Sequence, residues 1–90
     1  MILEHEIIEQ VEEGRRPLAR VLDLVRHHGR EDAWAVVHAL WQAGHVELTE
    51  ETGARLPSWK VAVLVREDAS PSSVYVGATT QGSDWVHGRY

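Results

Sequence analysis

The chain has 90 residues, 43% hydrophobic and 26% charged, with a formal net charge of −5 and no cysteine. That length holds one domain, spanning residues 1–90, and the composition is that of a folded chain; the missing cysteine excludes disulfides, thiolate metal sites and a thiol nucleophile. No apolar stretch approaches the roughly 20 residues of a bilayer span and the N-terminus lacks a basic start, so a cytoplasmic address without membrane contact is expected.

The first segment sets Leu3, Ile7, Ile8 and Val11 at helical spacing and stops at Gly14. It also carries Glu4, Glu6, Glu9, Glu12 and Glu13 without a compensating base, which reads as an acidic outer face. Pro17 suits the first turn of a second helix, whose stripe is Leu18, Val21, Leu22 and Val25 and whose end is Gly29. A third helix starts near Glu31 and Asp32, acids that favour a helix N-terminus, and runs through Ala43 to Gly44. Only the turn at Gly29 separates the second and third helices, as in a helix-turn-helix.

Beyond Gly44 the pattern alternates. Residues 45–49 read as a short strand, and Trp59, Val61, Val63 and Val65 fall on one face of a longer strand with Lys60 and Arg66 opposite. The breaker cluster around Pro71 leads to a third strand over 74–78, and Thr79 or Thr80 is placed to cap a short closing helix that lays Trp85 on the core. With no Phe present, the four Trp are the expected core anchors; Trp34 and Trp41 lie toward the edge of the apolar half of the third helix, and Trp59 heads a strand face.

The expected fold class is therefore α+β: a three-helix bundle, a three-stranded antiparallel sheet and a short C-terminal helix. Through ALWQAGHVELT at 39–49 and VYVGATTQG at 74–82 the chain resembles the winged helix-turn-helix superfamily. Leu40, Gly44, Val46 and Leu48 match the step from third helix to strand, and Thr79 and Gly82 match a Thr-x-x-Gly turn after the last wing strand. Element order carries the likeness over roughly residues 15–85. The resemblance implies a DNA-binding or a protein-binding module.

The third helix separates those two roles. Its apolar half holds Ala33, Trp34, Val36, Val37, Leu40 and Trp41, leaving Ala35, His38, Ala39 and Gln42 outside and Glu31 and Asp32 at the start. Base readout favours Arg, Lys, Asn and Gln, and acids facing phosphates repel, so this small, weakly polar face suits another protein better than DNA. The phosphate contacts available to the DNA alternative are Arg15, Arg16, Arg20, Arg30, Lys60, Arg66 and Arg89.

Six histidines raise the question of metal, but no pair stands at i and i+4, and in HEIIE at 5–9 Glu9 occupies the place where a zinc-protease motif needs its second His. Neither a glycine-rich phosphate loop nor a nucleophile motif occurs, so no metal, cofactor, small-molecule substrate or catalysis is expected. The reading is a non-enzymatic module that binds protein, as a homodimer or as an adaptor in a bacterial assembly, through the third helix and the acidic first helix. The alternative is a DNA-binding transcriptional regulator using the third helix and the wing. The bacterial source is inferred from eight arginines against one lysine, a high-GC bias.

Overall fold

The computed structural model describes residues 3–88. Among them are five helices and three strands in an α+β arrangement: α1 (Leu3–Glu12), β1 (Arg16–Pro17), α2 (Leu18–His27), α3 (Ala33–Gln42), β2 (Val46–Glu50), α4 (Ser58–Glu67), β3 (Val74–Ala78) and α5 (Thr80–His87). The first three helices lie where the apolar stripes place them, burying Ile7, Ile8 and Val11 from α1, Leu18, Val21, Leu22 and Val25 from α2, and Ala33, Trp34, Val36, Val37 and Leu40 from α3. They share one core with Val46, Leu48, Val74 and Val76 of the sheet.

Helix α3 is followed by Gly44, whose φ of +79° closes a turn in which the Gly44 amide donates to the Trp41 carbonyl and the His45 amide to that of Leu40, both at 3.0 Å. Such a turn needs a left-handed residue, which glycine supplies without steric cost, and the chain leaves it already aimed into β2.

The strand expected over residues 59–66 does not exist; the segment is α4. Its Val, Ala and Leu run satisfies the two-residue period and the helical one alike, and sheet topology decides between them. The strand order is β1-β3-β2, antiparallel throughout, with Arg16 opposite Val76 and Leu48 also opposite Val76 from the other side. Both edges of β3 are thus taken, one by Arg16 and by Pro17, which the sequence offered only as a helix start. Pro17, without an N–H, is tolerated there because β1 is an edge strand. With β3 already paired on both sides, residues 59–66 fold as a helix that buries Val61 and Leu64 and half-buries Val65.

The expected order of helices first and strands after them is corrected on two counts, since β1 precedes α2 and α4 separates β2 from β3. Trp59, expected in the core, is 68% exposed. Trp34 is buried, whereas Trp41 and Trp85 are half-buried against the core.

The free edge of β2 is covered by the chain that follows it. The Glu50 amide donates to the Ala54 carbonyl at 2.8 Å and the Leu56 amide to the Leu48 carbonyl at 2.9 Å. This turn-back closes an edge that would otherwise offer unpaired backbone groups, and it delivers Pro57 to the start of α4.

Candidate interaction surface

Helix α3 holds its four candidate residues on one side. Ala35, Ala39 and Gln42 are exposed, and His38 is half-buried with its ring stacked on that of Trp41, centroids 5.7 Å apart and planes 17° off parallel. The i to i+3 spacing makes the stack possible, and the stack fixes the imidazole along the helix flank.

Helix α4 borders this face. The Trp34 indole N–H donates to the Ala69 carbonyl at 2.7 Å, which pins the end of α4 beside the start of α3. Between the two helices lies an open depression of about 440 Å³ whose walls include Ala35, His38, Ala39 and Gln42 from α3 and Val65 and Asp68 from the α4 side. The mixture of methyl groups, one amide and one imidazole carries no fixed charge except at the rim.

That rim is acidic. Asp32 stands at the N-cap of α3 but makes no capping hydrogen bond, because both carboxylate oxygens accept from Arg30, Oδ1 from Nε at 2.9 Å and Oδ2 from Nη2 at 2.8 Å. The Arg30 guanidinium holds the Asp32 carboxyl below its ordinary value, and Asp32 in turn raises Arg30. Arg30 is therefore matched by a carboxylate at the entrance to α3.

Most of the other candidate phosphate contacts are also engaged internally. Arg15 donates to the Glu50 carbonyl at 2.7 Å and the Glu51 carbonyl at 2.6 Å, with its guanidinium 4.8 Å from the Tyr75 ring centroid. Arg16 donates to the Gln10 carbonyl at 3.0 Å and Lys60 lies 3.5 Å from Glu50. Arg20 on α2 and Arg66 on α4 are exposed and, among the described residues, free of such contacts. Lys60 and Arg66 do not share a strand face: on a helix their directions differ by roughly 120°. Arg89 lies outside the described residues. Among the described candidates, Arg15, Arg16, Arg30 and Lys60 are thus held by groups of the same chain.

The acidic face of α1 is partly engaged as well. Glu6 accepts from His28, the residue that caps α2, at 2.9 Å and Glu12 pairs with His87 of α5 at 3.0 Å, while Glu9 and Glu13 are exposed without such partners among the described residues. Two histidines thus fasten α1 to its neighbours, and a third, His45, stacks on Trp85 with centroids 4.4 Å apart. Among the described residues no three His, Asp or Glu side chains converge as a metal site would require.

Sequence reasoning missed α4 and its exposed Trp59. The signal was present: Pro57 precedes α4 as Pro17 precedes α2, and Val61, Leu64 and Val65 have helical spacing. No known family profile, curated protein or solved structure matches this chain.

Proposed function

We propose that the chain is a winged-helix domain acting as a non-enzymatic binding module, with the outer face of α3 as its contact surface for another protein. The succession of helix, strand, two closely joined helices and two further strands, with β1 paired to β3, supports that fold, and α4 stands where a wing would be. One observation carries the choice of partner class. The exposed face of α3 is uncharged and small, with acids at its entrance, while four of the candidate bases are bound to groups of the same chain. Duplex DNA would meet neither a basic strip nor a set of base-reading side chains there. Glu9 of α1 and Glu13 just past its end offer a separate acidic surface to a basic partner.

The test is Ala35→Glu combined with Ala39→Glu. Both side chains point to solvent, so each change is expected to move stability by no more than about 0.5 kcal/mol. Charges buried at a contact lose hydration without gaining partners, so association should be abolished. Size-exclusion chromatography and pull-down beside a thermal melt read both quantities. Unchanged association with an unchanged melt would remove this face from consideration.

A further inference from the structure

Trp59 is the sole large hydrophobic residue that stands exposed among the described residues, and it belongs to a patterned row. Trp59, Ala62, Val63 and Arg66 follow one another at i, i+3, i+4 and i+7 along α4, opposite the buried Val61 and Leu64. The row has an apolar ring at one end, two small residues in the middle and a cation at the other.

The charges around it are unevenly satisfied. Lys60 is beside Glu50, and Asp68 lies 3.9 Å from Arg26. Arg66 has neither an ion pair nor a hydrogen bond among the described residues. The outward face of α4 thus leaves two groups without a counterpart, an aromatic face and a guanidinium, about 10 Å apart along the helix.

We propose that α4 is a self-association surface, on which two copies of this chain pair helix against antiparallel helix about a two-fold axis. An axis passing between Ala62 and Val63 sets Trp59 of each copy opposite Arg66 of the other, and Ala62 opposite Val63. The row is its own complement when reversed, which is the condition an isologous contact imposes. A guanidinium within about 6 Å of an indole centroid is attracted by the ring quadrupole, and the symmetry makes that contact twice. Small side chains at the crossing let the helix axes approach to the 8–10 Å typical of packed helices. A second copy therefore supplies both missing counterparts at the required spacing.

This inference rests on the binding-module reading but uses a different face from the outer side of α3. One helical row is less than the roughly 800 Å² per partner of a stable complex, so the dimer is expected to be weak, with a Kd on the order of 0.1 mM.

Sedimentation velocity over a concentration series to about 1 mM tests it. The native chain should shift toward dimer, and Trp59→Ala and Arg66→Glu should each raise Kd about tenfold or more, with circular dichroism unchanged. Because the chain has no cysteine, Ala62→Cys introduces a single thiol beside the proposed axis. Mild oxidation should link it into a disulfide dimer much faster than the exposed control Ser72→Cys, and adding Arg66→Glu should slow the linkage. A native chain that stays monomeric throughout, or two cysteine variants that cross-link at one rate, would overturn the proposal. If that monomer still loses a heterologous partner on Ala35→Glu with Ala39→Glu, only self-pairing fails and the binding reading stands.

Discussion

Gly82 sits directly against the backbone of His45: a methyl group built on Gly82 would lie 2.7 Å from the His45 carbonyl carbon and closer still to its oxygen. This contact joins the first turn of α5 to the start of β2. Thr79 serves the same junction, since its hydroxyl donates to the Gly44 carbonyl at 2.6 Å and accepts from the Gly82 amide at 2.9 Å. The Thr-x-x-Gly pattern has a structural cause here: the threonine caps α5 and the glycine lets the capped turn reach the sheet.

Gly82→Ala should therefore destabilise the fold even though alanine favours helices. Rigid backbone opposes the added carbon, and overpacking of this kind costs about 1–3 kcal/mol, with larger values where nothing can move. A thermal melt followed at 222 nm should show a clear fall in midpoint, about 4–8 °C per kcal/mol for a domain of this size. An unchanged midpoint would mean that the α5 junction is looser than described.

Asp68→Gly is expected to act in the opposite direction. Asp68 ends α4 in the left-handed region at φ 50°, with its amide donating to the Val65 carbonyl at 3.2 Å and the Ala69 amide to that of Leu64 at 3.0 Å. A side chain is strained in that conformation and glycine is not, while the contact given up, Arg26 at 3.9 Å, is exposed and weak. Denaturant unfolding should report a gain of up to about 1 kcal/mol.

Leu40→Ala should cost about 2–5 kcal/mol, the range for cavities left in a packed core. Leu40 is 4% exposed on the inner side of α3, within the cluster that unites helices and sheet. A urea midpoint that hardly moves would contradict that orientation of α3, and with it the exposure of Ala35 and Ala39.

Duplex DNA should bind the isolated chain no better than roughly 10⁻⁴ to 10⁻⁶ M at physiological salt, the range of non-specific association. The engaged guanidiniums of Arg15, Arg16 and Arg30 leave few bases for phosphates. Fluorescence anisotropy at two salt concentrations decides the matter, and sub-micromolar, sequence-selective binding that weakens steeply with salt would restore the DNA-binding alternative.

The sequence by itself determined α1, α2, α3, β2, β3 and α5, because each carries its own local signal: a 3.6-residue apolar stripe closed by Gly14, Gly29 or Gly44, an alternating run, or the Thr79 cap. It also determined which side of α3 faces outward, since helical phase follows from the spacing of Val36, Val37 and Leu40 alone. Only the tertiary structure decided that residues 58–67 are helical, that Arg16 and Pro17 pair with β3, and that Trp59 stands in solvent. A short valine-rich run fits strand and helix equally well, and the choice depends on whether a sheet edge is free to receive it. The engagement of Arg15 was hidden for the same reason: it meets Glu50 and Glu51 from 35 and 36 residues away. Such partners are set by how the sheet folds back, a non-local property that no window of sequence contains.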